Sequence, residues 1–293
     1  MKKIYFIVAV AIFATTSASA QADSQDVIYI KSVKFATPLL EKWIAEYSKV
    51  NPEVKIAVAD KTVEPESVDI QLLASDGQTA NQKAFTIGRY AVLPIASKNS
   101  TVLSTLQKKK LNNKRIKELF FEKDILDDDY DEDDAKDKYN ATIYSVVNAS
   151  SVANAFASHF GYEPSKLKGK KISGDEIYLI NAVQKDQNGV TFNNLSYVFD
   201  INSRTLKNNI ALLPLDLKRE YSEVIAEANL DKVIALLETK TIDLIPVEGI
   251  QFVASHTPDA QTEQFLQWVA TEGQAYNHQF GFLNADKKAL AQH

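Results

Sequence analysis

Two rhythms of apolar residues take turns along this chain. Asp26–Ser32 reads as a short strand, with Val27, Tyr29 and Ile30 supplying β-branched and aromatic bulk. Thr37-Pro38 then reads as a helix N-cap with proline at the first helical position. Leu39, Leu40, Trp43, Ile44 and Tyr47 follow at helical spacing until Asn51-Pro52 stops the helix. Val54, Ile56 and Val58 alternate as a second strand, and Asp69–Leu73 and Ala91–Ala96 are further strands. Strand, helix, strand, repeated, predicts an α/β layer with helices covering a sheet.

The later pattern is similar but interrupted by charge. Lys108, Lys109, Lys110, Lys114, Arg115 and Lys117 make a basic stretch on a predicted helical segment. Asp124–Asp137 then carries nine acidic residues and one lysine. Val152, Ala155, Phe156 and His159 mark a helix face, capped by Ser150 or Ser151. Strands are expected within Gly189–Phe199, at Ile242–Ile245 and at Ile250–Ser255, with an amphipathic helix through Leu230, Val233, Ile234 and Leu237. Phe265, Leu266 and Val269 lead into Gly273-Gln274 and a last helix closed by Gly281.

Composition narrows the classes. At 45% hydrophobic and 24% charged, the 293 residues suit a globular chain of about two domains and exclude a disordered or collagen-like one. There is no cysteine, which removes disulfides, thiol nucleophiles and cysteine-bound metal clusters together. The histidines His159, His256, His278 and His293 lie far apart in sequence and suggest no metal site. Met1–Ala20 reads as a secretory signal: Lys2 and Lys3 are the positive end, Ile4–Phe13 is apolar, and Ala18-Ser19-Ala20 is a cleavage site before Gln21. Removing Lys2 and Lys3 takes the formal charge from −5 to −7, which argues against a nucleic-acid partner. A periplasmic location is expected.

Catalytic constellations are missing from the sequence. It has no Gly-x-Ser-x-Gly, no His-Glu-x-x-His and no phosphate-cradling glycine loop. Asp127, Asp129, Asp131 and Asp133 alternate as in a calcium loop, but Glu132 stands where that loop needs glycine and Lys138 where it needs glutamate. The expectation is a protein that binds rather than catalyses, with no metal or other cofactor.

Phe265-Leu266-Gln267-Trp268-Val269, Gly273-Gln274 and Gly281-Phe282-Leu283 together resemble the C-terminal part of the phosphate-binding proteins of ABC transporters. Gly189–Asn194, Val198-Phe199-Asp200 and Leu213-Pro214-Leu215-Asp216 look like that family's glycine–aromatic strand region. Ser32–Thr37, Pro38 and Trp43 look like its ligand-holding loop and first helix, so the resemblance runs from about residue 27 to 285. It implies an α/β, two-lobed type II periplasmic-binding-protein-like fold with two crossing strands, near Ala91–Ser97 and Ile250–Ser255. After the signal peptide, residues 1–20, one lobe would comprise 21–94 plus 250–293. The other would be 95–249, including the acidic loop 124–137.

The ligand motifs depart from the family. Its second-lobe arginine, four residues before the serine of a Ser-Gly-Thr turn, falls on Val146 or Val147, according to whether Ser150 or Ser151 is aligned. Its Gly-Ser loop after the second strand is replaced by Lys61-Thr62-Val63-Glu64-Pro65. Its cleft aspartate corresponds to Asp76, with the spacing from Asp69 off by two. Arg89 is a candidate replacement cation, although a surface ion pair is its simpler reading. The candidate ligand residues are therefore Ser32, Lys34, Phe35, Thr37, Ser75, Asp76, Asn148, Ser150 and Ser151. The expected partners are a small anion or polar solute and, by resemblance, a membrane transporter complex; the protein itself is expected to be a monomer. The competing reading is a degenerate member that serves as an interaction or scaffold protein and holds no small molecule.

Overall fold

A computed structural model describes residues 27–74, 84–122, 139–147 and 150–286. Strand β1 is Ile28–Ser32, with Ile28 and Ile30 buried and the residues between them facing outward. A single 3-10 turn, Lys34–Ala36, leads into helix α1, Thr37–Val50. Thr37 is not the N-cap that Thr37-Pro38 suggested. Ala36 holds that position, and the Thr37 hydroxyl donates back to the Val33 carbonyl at 3.4 Å. The extra turn pulls Phe35 and Ala36 into the core, and this moves the helix start one residue earlier. Leu39, Leu40, Trp43 and Tyr47 form the buried stripe, as their spacing predicts.

Strands β2 (Ile56–Val58), β3 (Ile70–Ala74) and β4 (Ala84–Ser97) follow. The basic stretch divides between helices α2 (Thr101–Lys108) and α3 (Asn113–Phe120) instead of riding on one. Leu111 causes the break: it is fully buried, its amide donates to the Pro214 carbonyl, and Asn112 then caps α3 through Arg115 N. Strand β5 (Thr142–Val146), helix α4 (Ser151–His159), strand β6 (Lys170–Ile172), helix α5 (Ile177–Lys185) and strand β7 (Gly189–Asn194) build the next layer.

Within the predicted strand region Gly189–Phe199, one helical turn intervenes, α6 (Leu195–Val198), because the Asn194 side chain caps it through Tyr197 N. Strands β8 (Phe199–Asp200), β9 (Thr205–Leu206) and β10 (Ile210–Leu212) precede helices α7 (Arg219–Ala226) and α8 (Leu230–Thr239). Ile242–Ile245 is a turn, not a strand: Ile245 N donates to Ile242 O, and the buried side chains fill core space. So short an apolar run carries no periodicity that separates the two. Strand β11 (Val247–Ala254) and helix α9 (Ala260–Ala270) complete the set, ahead of a 3-10 segment, Glu272–Phe280.

Among the described residues, nine strands form one sheet in the order β2-β1-β3-β11-β4-β7-β5-β6, with β10 also on β4. The sheet changes character along β4. From Ala84 to Ala91 this strand pairs antiparallel with β11; from Val92 to Ala96 it pairs with β7. The return passage lies beside it, where Val92 N donates to Pro246 O at 2.9 Å. Two aromatic clusters fill the two sides. Trp43, Tyr47, Phe252 and Phe265 pack in the first, and Phe120, Phe121, Phe156 and Phe192 in the second. Removing one such ring typically costs about 3–5 kcal/mol.

A bulge marks the first stretch of β4. The register against β11 shifts between Ile250 and Gln251, which leaves Ile87 as the extra residue. Its carbonyl is satisfied from outside the sheet, by Gln274 Nε2 at 2.8 Å and Asn277 Nδ2 at 3.3 Å. Gly273, whose neighbour Gln274 makes this contact, lies against Trp43 and accepts that indole N–H at 2.8 Å. Gly281 ends the segment in the left-handed region at φ 80°. The C-terminal motifs that carried the resemblance thus hold the sheet together.

Candidate functional site

Where the two parts of the sheet meet, a cleft of about 330 Å³ opens. Each side contributes the start of a helix. From the first side come Val33, Lys34 and Phe35, at the 3-10 turn before α1; from the second come Ser150, Ser151 and Asn154, on α4. A third loop, Gly174-Asp175-Glu176, opens α5 and lines the same space. Across the cleft, Tyr90 Oη donates to the Ser151 carbonyl at 3.1 Å, and Lys34 Nζ stands 3.9 Å from Asp175 Oδ2.

The expected residues divide into three groups. Lys34, Phe35, Ser150 and Ser151 do line the cleft. Phe35 is nevertheless a core side chain, packed between Tyr90 and Phe282 with ring centroids 5.0 and 5.9 Å away. Ser150 Oγ caps α4 by accepting from Ala153 N at 3.3 Å, which resolves the choice of cap. Ser32 and Thr37 are outside the lining, and both hydroxyls turn onto the Val33 carbonyl. Ser75, Asp76 and Asn148 lie outside the described residues, as do the signal segment, the acidic run and its calcium-like aspartates.

The third loop was missed from sequence. Its signal was Ser173-Gly174-Asp175 ahead of an apolar run, a helix-start pattern. Gly174 takes φ 107°, a backbone region costly for any other residue. Asp175 Oδ1 then accepts from Ile177 N at 3.1 Å. Tyr197 lies beside Asp175; burial first, and then that carboxylate, push its phenol far above the ordinary range, so it stays protonated. Asn193 Nδ2 donates to the Glu176 carbonyl at 2.7 Å and ties the loop to β7.

Among the described residues the lining therefore carries one cation, Lys34, and two carboxylates, Asp175 and Glu176. Lys34 is 69% exposed and Asp175 only 14%. Neither Val146 nor Val147 lines the cleft, and Arg89 does not either. Arg89 is engaged elsewhere, with Nε donating to Asn284 O at 3.0 Å and Nη1 lying 3.2 Å from Asp286 Oδ1. Among the described residues, no cluster of three or more His, Asp or Glu is placed to hold a metal ion.

A second concavity of about 640 Å³ lies on α2 and α3, lined by Lys108, Lys109, Lys114, Arg115, Glu118 and Tyr139. It draws on one side of the molecule alone. Lys108, Lys109 and Lys114 are exposed, as expected of a solvated face.

Two α/β lobes on a shared sheet, with helix starts facing across a cleft at their junction, define the type II periplasmic-binding fold. Solved structures agree. One similar structure is a phosphate ABC transporter substrate-binding protein from Clostridium perfringens with bound phosphate: TM-score 0.59, 14% identity, covering 89% of this chain and 100% of that one. Another is an ABC-type phosphate transport receptor from Vibrio cholerae, at TM-score 0.54 and 11% identity over 88% of this chain and 100% of that one. The OxyR2 regulatory domain from Vibrio vulnificus shares the fold too, at TM-score 0.53 and 11% identity over 86% and 98%. At such identities the likeness is one of fold. No protein-family model matches the chain. No curated protein matches it either.

Proposed function

We propose that this is an exported solute-binding protein whose lobes close on a small polar solute. The observation that carries the reading is the cleft itself, built from helix starts on both sides and large enough, at about 330 Å³, for a small molecule. The lobes meet where β4 changes partner between Ala91 and Val92 and where the chain returns at Pro246, which supports boundaries within a few residues of 94 and 250. Export is supported by the Met1–Ala20 signal pattern and by the transporter substrate-binding protein that shares this fold. Among the described residues, no helix is long and apolar enough to cross a membrane. A membrane transporter is the partner that two of the similar structures suggest; the protein itself is proposed to act as a monomer.

Phosphate is named for two of the structural neighbours, and the N-terminus of α4 favours negative charge by about 1 kcal/mol. The carboxylates oppose it. A unit negative charge ~5 Å from a carboxylate is disfavoured by roughly 3 kcal/mol at an effective dielectric near 20. Lys34, mostly solvated, offsets little of this. A thermal-shift screen of the secreted protein against oxyanions, sugars and amines tests the reading, since a ligand at a hundred times its Kd adds about 2.7 kcal/mol of stability. A screen in which nothing raises the melting temperature would favour the second reading, an interaction protein without small ligand. The valines at the family's arginine position already lend that reading some weight.

A further inference from the structure

We infer that the solute carries a protonated amine and that Glu176 is its anchor; this rests on the solute-binding reading above. Glu176 lines the cleft and is only 8% exposed. Its backbone carbonyl is taken by Asn193, but among the described residues its carboxylate has no hydrogen bond and no ion pair. The contrast with its neighbour is direct. Asp175 has Ile177 N, the Lys34 ammonium and a hydrogen bond with the Tyr197 phenol, whereas Glu176 is close enough to that phenol to raise its pKa but makes no hydrogen bond with it. Glu176 packs most of its surface away, yet its carboxylate oxygens are not among the buried unpartnered atoms and so stay open to the cleft. A donor on a solute can reach them there and replace water.

Charge selects the kind of partner. Lys34 stands 3.9 Å from Asp175 and makes no ion pair with Glu176, so among the described lining residues Glu176 is the carboxylate without a cation beside it. An ammonium group matches it in sign and in donor capacity. A phosphate would bring like charge to the same place. A solute that also bears a carboxylate would have the α4 start, Ser150-Ser151, across the cleft for that end.

The test pairs the secreted protein with its Glu176→Gln variant, which keeps shape and removes charge. Both are titrated calorimetrically with L-lysine, L-arginine, glycine, putrescine and glucosamine, and with inorganic phosphate and sulfate as the anion arm. At least one amine should bind the parent, and the substitution should weaken it about 10- to 100-fold, the range for loss of a hydrogen bond to a charged group. Without solute, the variant should melt at or above the parent, because the unpaired charge is gone. A variant that melts several degrees lower, or fails to fold, would mean that the carboxylate has a structural partner, and would overturn the inference. So would amine binding unchanged by the substitution. Binding of phosphate or sulfate with no amine binding would overturn the amine inference but leave solute binding standing. Silence across both arms would remove both.

Discussion

The cleft and the groove on α2 and α3 invert each other. The groove is about 640 Å³ against the cleft's 330 Å³, and it gathers four cations around one carboxylate. Yet its lysines are solvated, Lys114 reaches Glu118 only at 4.0 Å, and such charges are screened within a Debye length of about 8–10 Å. The cleft is smaller and, among its described residues, carries one cation against two carboxylates, with Glu176 only 8% exposed as a residue. What separates a recognition site from a charged face is desolvation together with convergence of elements. By that measure the smaller concavity is the stronger candidate.

Phosphate offers the sharpest way to break this contrast. With no buried guanidinium near the cleft, binding would depend on helix starts and neutral donors, and charge-assisted bonds are roughly twice as strong as neutral ones. Calorimetry at neutral pH should find a Kd no tighter than tens of micromolar, on the order of −6 kcal/mol. Submicromolar binding would mean that the cleft's charge is compensated in a way the lining does not account for.

Next in size is Gly174→Val. A β-branched side chain at φ 107° is strained by about 1–3 kcal/mol, and its Cβ would sit 2.8 Å from Tyr178 Cε2. Tyr178 is half exposed and can move aside, so the backbone conformation carries the loss. Urea unfolding should register that drop, and solute binding should disappear with the displaced Asp175-Glu176 loop. A variant as stable as the parent would show that the loop tolerates another conformation.

Reversing charge in the groove is expected to do much less. Lys108→Glu combined with Lys109→Glu touches only exposed side chains, and stability should stay within ~0.5 kcal/mol. Solute titrations should superimpose on those of the parent; a changed affinity would make the groove part of the function.

The smallest effect is a pH dependence remote from both concavities. His256 has a raised pKa, first from its hydrogen bond with the Thr257 carbonyl and then from Asp69, whose Oδ1 lies 3.0 Å from Nε2. A raised folded value favours the protonated form in the folded state. The resulting stability is fully present below about pH 6.5 and fades as pH rises through the raised value. His256 is 56% exposed, so the melting temperature should shift only slightly over that window. His256→Ala should flatten it, and an unchanged slope would assign it to another group.

Packing was legible in the sequence and the ligand was not, for physical reasons. Helical spacing over Leu39–Tyr47 records burial, which any folded chain must satisfy, whereas Ile56, Ala57 and Val58 are evenly half-buried despite their alternating pattern. The resemblance motifs were of the same kind: Gln274 serves the Ile87 bulge, and Gly281 the end of its segment. Ser150 was found because a cap has a local signature. Glu176 has none. Its place in the cleft emerges only when β7 brings Asn193 against its backbone and sets the third loop opposite the other two. The first stretch of β4, with Thr86, Gly88 and Arg89, was equally opaque, because a bulge between two paired strands hides any alternation.

Strand β4 sets a common count for both lobes. Its fourteen residues are read by β11 on one stretch and by β7 on the next, so the spacing between those two readings is written into a single uninterrupted segment. An inserted or deleted residue between Gly88 and Val92 would shift one lobe against the other by a whole pleat and turn inward-facing side chains outward. The bulge at Ile87 is where one additional residue is already accommodated, upstream of the junction. Length variation is therefore tolerable in the surface loops and closed off along this segment, whatever its composition.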